Sequence, residues 1–167
     1  MKPKTVGRAN KGQIPDARVE FNHVGIIAGT IVLTADGEIP VQYLNKGDRI
    51  ITRNAGMVAL HAAKLTRQSV PAVRVAAGAL GQKAPDTHVI LPASQPVLVR
   101  DWRAKSIAGQ NQAVLPAGCL IDGDQITDLG TRPMVLIQLG FDAPHVIYAD
   151  GMELSVPALT QVVEAAA

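Results

Sequence analysis

The sequence predicts an all-β fold made of many short strands, and three observations carry that expectation. Fifteen glycines and eleven prolines among 167 residues punctuate the chain too densely for long helices. Apolar residues make up 47% of the chain but aromatics only 3%, so the core must come mostly from Val, Ile, Leu and Ala, and the β-branched residues among these suit pleated surfaces. Turn signals recur at regular spacing, with no long amphipathic segment between them.

Taken in order, residues 1–23 are polar and rich in Gly, Pro, Lys and Arg, and read as a flexible N-terminal arm. Residues 24–157 hold the β domain. Thr30 to Thr34 is β-branched apart from Leu33, and Ala35-Asp36-Gly37-Glu38 turns it back. Ile39 to Leu44 reads as a short edge-like strand, because Pro40 has no N–H to donate. Asn45-Lys46-Gly47-Asp48 turns into a strand from Arg49 to Arg53. Asn54-Ala55-Gly56 turns into another from Met57 to Arg67, with Val58, Leu60 and Ala62 on one face and Met57, Ala59 and His61 on the other. Val73 and Val75 alternate with Arg74 and Ala76. After a Gly/Ala/Pro loop from Ala77 to Asp86, short strands His88 to Leu91 and Val97 to Arg100 flank the break Pro92-Ala93-Ser94-Gln95-Pro96. Residues 101–112 read as a surface excursion. Ala113 to Leu115, Leu120-Ile121, the turn Asp122-Gly123-Asp124, Met134 to Leu139 and Val146 to Ala149 complete the β series. Residues 158–167 form a tail. Val156 to Ala167 has helical composition but is short and contains Pro157, which leaves a short frayed helix and an irregular end both open. Two blocks, EIPVQYLNKGDRIITR and QAVLPAGCLIDGDQIT, share an order of short strand, Leu, Gly-Asp turn and second strand. That is the mark of a duplicated unit or a chance likeness.

Composition also excludes several classes. The net charge is only +2, and the basic residues are scattered except for Lys2, Lys4, Arg8 and Lys11, so no nucleic-acid groove is expected. One cysteine, Cys119, permits no internal disulfide. No apolar run approaches membrane-spanning length, and the basic start lacks the apolar h-region of a conventional signal peptide. A soluble protein is expected, cytoplasmic or exported by a route that ignores the N-terminus.

The stretch AGTIVLTADGEIPVQYLNKGDRIITRNAG resembles the opening of a Hint domain, the fold of hedgehog C-terminal regions and inteins, and most of all its bacterial stand-alone subgroup. Gly29-Thr30, Asp36-Gly37, Pro40-Val41, Leu44, Gly47-Asp48 and Thr52-Arg53 keep the family's spacing. Arg74-Val75 with Gly78-Ala79-Leu80-Gly81, then LPASQPVLVRDW, LPAGCLIDG and HVIYADGMELSVP, resemble later family segments in the same order. The resemblance implies a twisted, pseudo-twofold Hint-type assembly.

It also implies a chemistry. Active Hint domains cleave the peptide bond before their first residue, whose thiol or hydroxyl attacks the preceding carbonyl to give a thioester or ester. A histidine in a second block, with a Thr or Ser nearby, serves the departing amide nitrogen, and such acid–base help is worth roughly 10² to 10⁴ in rate. Here the nucleophile position matches Gly25, which has no side chain to attack with. The histidine position matches Gln95, whose amide does not titrate near neutrality. The companion hydroxyl matches Pro92, and positions often held by histidine in the closing strands match Gln138 and Pro144. Thr30 is expected to serve the turn or the first strand. These positions, Gly25, Thr30, Pro92, Gln95 and Gln138, are read as a vestigial site with no catalytic residue.

No other constellation takes over the reaction. Cys119 between apolar neighbours reads as a small core residue, and Ser94 has no adjacent base in sequence. His23 reads either as a resident of the old cleft or as a water-exposed strand-edge residue. His61, His88 and His145 lack metal-ligand spacing, and Asp122 and Asp124 read as a turn. Asp142, Asp150 and Glu153 read as solvated loop charges. No metal or cofactor is expected. The function expected is non-catalytic: a protein-binding or self-associating module, with the N-terminal arm as one route of contact. The alternatives are a self-cleaving Hint peptidase with an altered site and, more weakly, a hydrolase using Ser94 or Ser155, for which no triad spacing is visible.

Overall fold

The computed structural model describes residues 17–163; the expectations for residues 1–16 and 164–167 lie outside these. Most of the described chain is β-strand, as expected. Three sheets form. The largest has eight strands: β10 (Ala113–Pro116), β9 (Pro96–Val99), β13 (Met152–Val156), β12 (His145–Ala149), β3 (Ile31–Thr34), β5 (Arg49–Thr52) and β6 (Gly56–Ala59) in that order, with β4 (Gly37–Pro40) on β3. The second runs β2 (Ile26–Ile27), β11 (Ile126–Gly140), β7 (Ala62–Val75), β8 (Val89–Pro92). The third pairs β1 (Ala17–Glu20) with β14 (Thr160–Val163).

Side-chain alternation explains the layering. In β12 and β13 every second residue is buried, as a strand with one core face requires. Ile26, Ile50, Leu91, Phe141, Ile147 and Leu154 are among the fully buried side chains. Each large aliphatic buried this way contributes about 1.5–3 kcal/mol relative to exposure. Asp150-Gly151 turns β12 into β13, with Asp150 at φ 50° and Gly151 at φ 81°, the left-handed geometry of a tight hairpin.

The two similar sequence blocks fold alike. Val41–Tyr43 and Ala117–Leu120 are both 3-10 segments entered through a proline, Pro40 at φ −58° and Pro116 at φ −59°. The Val41 N–H donates to the Thr30 carbonyl and the Ala117 N–H to the Gln95 carbonyl, both at 2.8 Å. The Ala28 N–H reaches Val135 on β11 at 2.9 Å, and the Ala93 N–H reaches Pro71 on β7 at 2.8 Å. Because β7 and β11 pair with each other over their length, these matched contacts describe a pseudo-twofold relation between the halves. Ile27 corresponds to Pro92 and Thr30 to Gln95.

Several local expectations are corrected. Within the stretch read as an N-terminal arm, Ala17–Glu20 forms strand β1, paired with β14, and Asn22 and His23 hydrogen-bond to Ala158, Thr160 and Leu139. Within the stretch expected to be a short helix or irregular tail, Thr160–Val163 is strand β14, paired with β1. The excursion at 101–112 contains helix α1 (Trp102–Ala108), capped by the Asp101 carboxylate on the Arg103 N–H and ended by Gly109 at φ 71°. The expected strand from Met57 to Arg67 breaks at buried Leu60, where the chain leaves one sheet for another. The 3-10 segments Val41–Tyr43 and Ala117–Leu120 take the place of strand expected to reach Leu44 and to hold Leu120-Ile121. Strand β13 and the full length of β7 and β11 go beyond the strands expected from sequence; the two long strands run through Pro71 and Pro133. In the structure a register shift between Asp128 and Gly130 absorbs the irregularity.

Candidate functional site

The chain enters the site along a segment that is tied down at every step. The Asn22 side-chain amide donates to the Ala158 carbonyl at 2.6 Å and to the Thr160 hydroxyl at 2.8 Å. The His23 ring Nε2 sits 3.0 Å from the Leu139 carbonyl and 3.1 Å from its amide, at the edge of β11 just past the end of its pairing with β2. Burial pushes the His23 pKa down, opposed in part by the bond to Leu139. Gln138 reaches the same segment from β11 and donates to the His23 carbonyl at 2.8 Å.

Gly25 follows, buried, at φ +118°. A Cβ there would lie 3.0 Å from the Ile137 carbonyl oxygen and 3.0 Å from the Leu136 Cβ. The backbone therefore closes onto β11 in the space a side chain would need, in a conformation that L-residues rarely adopt.

Residues 21–24 form one wall of a cleft of roughly 410 Å³, and Ser94, Gln95, Pro96 and Pro157 form the other. Gln95 is only 2% exposed. Its amide nitrogen donates to the carbonyls of Pro96 at 2.8 Å and Ser155 at 3.0 Å. That pair of acceptors fixes which end of the amide is oxygen. The Gln95 Oε1 and the His23 Nδ1 are both buried without a hydrogen-bond partner.

The residues singled out from sequence separate into those that reach this cleft and those that do not. Gln95 and His23 line it, and Gln138 holds its wall. Of the two readings of His23, the cleft is its location. Thr30 is buried and donates its hydroxyl to the Ile27 carbonyl at 2.8 Å, so it serves its own turn. Pro92 ends β8, where its carbonyl accepts the Gln95 N–H at 3.0 Å. Pro144 stands in the turn before β12, beside Asn54. Asn22 was missed from the sequence; an Asn next to a His before Gly25 was the available signal.

Three further expectations are corrected. Cys119 is exposed, not core. Glu153 projects from β13 with its side chain 12% exposed and pairs with Arg53 at 3.3 Å and with Arg100. Asp150 accepts the Ile31 N–H at 3.1 Å. Burial raises its pKa, against that bond and with a contribution from Asp86 and Glu38. The turn reading of Asp122 agrees with the structure: it accepts the N–H groups of Asp124 and Ile126, both at 2.9 Å. Those bonds, with a smaller share from Arg103, hold its pKa down to about 2. Among the described residues no group of three or more His, Cys, Asp or Glu could hold a metal ion. No helix there is long and apolar enough to cross a membrane.

Chemically, the site can hold and orient a peptide segment through Asn22, His23 and Gln138, but it presents no nucleophile at Gly25 and no titrating group at Gln95. Comparison with known proteins places this geometry. The profile of the Hint domain matches residues 24–155. No curated protein matches the chain. Among solved structures, the bacterial intein-like domain from Clostridium thermocellum is similar over 81% of this chain and 99% of its own, with 15% identity and a TM-score of 0.54. The MchDnaB-1 intein is similar over 78% of this chain and 98% of its own, with 12% identity and a TM-score of 0.50. The Msm DnaB1 intein splicing domain gives 79% and 98%, with 14% identity and a TM-score of 0.50. At these identities the likeness concerns the fold.

Proposed function

The chain belongs to the Hint domain family, and on that premise we propose that it is a non-catalytic member, a binding or assembly module whose leading segment stays attached. Its partner on this reading is another protein or a second copy of the chain. The observation that carries the reading is Gly25. Peptide-bond cleavage by the family's route needs an attacking atom on the residue after the scissile bond. Here that residue has none, and its backbone occupies the room a side chain would take. Gln95 adds support, since both its N–H groups are committed to carbonyls and its amide neither gives nor takes a proton at neutral pH. The vestigial positions Gly25, Thr30, Pro92, Gln95 and Gln138 act on this reading as framework.

The test is an intact-mass measurement on the chain fused behind a reporter, with and without added thiol or hydroxylamine. An unchanged mass is expected. A clean cut between Val24 and Gly25 would overturn the proposal in favour of self-cleavage. The double variant G25C/Q95H sharpens it: cleavage is expected to stay absent, because the new Cβ meets the Ile137 carbonyl.

A further inference from the structure

The ribbon of β7 and β11 has two outer edges, related by the pseudo-twofold relation, and they are not equally open. In an antiparallel pair, residues bonded to the partner strand alternate with residues whose N–H and C=O point away from it. The Val135 carbonyl accepts the Ala28 N–H and the Pro71 carbonyl accepts the Ala93 N–H, so both residues face outward from the ribbon. Val135 pairs with Arg67 and Pro133 with Ser69. The outward residues are therefore Leu65, Arg67, Ser69 and Pro71 on β7, and Thr131, Pro133 and Val135 on β11.

β8 covers the β7 edge only from Ala72 to Val75, and among the described residues no strand pairs with that edge from Leu65 to Ser69. Leu65 is 48% exposed, and Arg67 and Ser69 are exposed too. Leu65, Arg67 and Ser69 thus each offer a backbone donor and acceptor along one side. The twin stretch of β11 is blunted, since Pro133 has no N–H and the register shift between Asp128 and Gly130 interrupts the ladder. An intact edge of this kind is a template for an added strand. A hollow of roughly 320 Å³ beside it, lined by Arg67, Gln68, Ser69, Pro133, Met134 and Val135, gives room for a side chain of that strand.

The charges choose the occupant. Lys64 and Arg67 are three residues apart, so they project from opposite faces of the strand. Among the described residues neither pairs with a carboxylate. A second copy laid on this edge would bring like charges together, which is destabilising. A segment with two carboxylates at the same spacing would meet both cations. We propose that the outer edge of β7 from Leu65 to Ser69 binds an extended acidic segment of another protein as an added strand, with Lys64 and Arg67 selecting its carboxylates. The proposal rests on the binding-module reading and names the chemistry of the partner.

The probe is the peptide acetyl-Thr-Glu-Val-Val-Glu-Thr-amide, and the control is its counterpart with Lys in place of both Glu. Backbone amide exchange of the whole chain is followed by NMR. With the acidic peptide, exchange at Leu65, Arg67 and Ser69 is expected to slow at least about tenfold, while Thr66 and Gln68, already bonded to β11, stay unchanged. The lysine peptide is expected to bind at least about tenfold more weakly. Lys64→Glu combined with Arg67→Glu should reverse that preference, a gain that only a folded chain can show. Equal binding of the two peptides, or a preference that does not reverse, overturns the proposal. Absence of the alternating protection overturns it as well, and a thymidine oligonucleotide that shifts Lys64 and Arg67 where the peptide gives no protection would identify a nucleic-acid surface instead. Protection without peptide, together with a dimer in sedimentation, overturns it in favour of a second copy. Intact mass and amide exchange are separate readouts, so this proposal can fail while the non-catalytic reading stands, and the reverse.

Discussion

The turn from Ile27 to Ile31 and its pseudo-symmetric twin from Pro92 to Pro96 share their backbone hydrogen bonds but only one residue type, Ala28 matching Ala93. In both, the fourth residue donates its N–H to the first residue's carbonyl, at 3.2 Å for Thr30 and 3.0 Å for Gln95. In both, the fourth residue's carbonyl accepts from the 3-10 segment that follows. Thr30 is short enough to satisfy its hydroxyl within its own turn. Gln95 reaches across to β13, satisfies its nitrogen there and leaves its oxygen buried without a partner. The frame is thus a property of the backbone bonds, which either sequence supplies. What the twin sites can do depends on how far the fourth side chain extends beyond the bonds the frame consumes.

The strands entering the two turns give the sharpest contrast. Gly25 and Ile90 occupy matching places, and only Gly25 is closed onto its neighbour. Gly25→Val should destabilise the protein by about 2–5 kcal/mol, from backbone strain and overpacking together. Ile90→Val should cost about 1 kcal/mol. Urea unfolding measures both, and equal costs would mean that the Gly25 backbone has room to open. Next in size, Gln95→Ala should cost about 2–3 kcal/mol, since it leaves a cavity and two carbonyls short of donors, whereas Thr30→Val should cost about 1 kcal/mol. A reversed order would show that the Thr30 turn carries more of the frame.

Acid separates the halves by a smaller amount. Asp122 in the second half has a folded pKa of about 2 against an ordinary value of 3.8. Its stabilisation is therefore complete above the unfolded value and is lost as pH falls from about 4 through 2. Asp122→Asn should lower stability at neutral pH by about 1 kcal/mol, because the carboxylate is partly solvated, and should flatten the acid limb of a stability–pH curve. The smallest effect belongs to His23. Burial depresses its folded pKa below 6.5, so the unfolded chain takes up the proton first and stability falls as pH drops below 6.5. His23→Gln should remove that slope between pH 7 and 5. An unchanged slope would mean that the ring is solvated in the folded protein.

Much of the fold is legible in the residues. Asp36-Gly37, Gly47-Asp48 and Asp122-Gly123 mark turns because few other residues take their backbone angles cheaply, and the β-branched run Thr30 to Thr34 marks a strand. Pro71 and Pro133 hid the long β7–β11 ribbon, since a proline removes a donor and its tolerance depends on which side of the strand is paired. The pairing of β1 with β14 joins residues 140 to 146 apart in sequence, a distance over which no local pattern speaks.

Composition and turn chemistry by themselves determined that this protein is a β assembly, and the spacing of Gly29-Thr30, Asp36-Gly37, Pro40-Val41 and Gly47-Asp48 carried its resemblance to the Hint family. They act locally, through backbone angles and side-chain identity, and local order preserves them. Only the tertiary structure decided that the Gly25 backbone lies against Ile137, that His23 and Gln95 line one cleft, and that Ala17–Glu20 pairs with Thr160–Val163. Each of these depends on contacts between segments far apart in sequence, whose geometry exists only once the two pseudo-symmetric halves have packed.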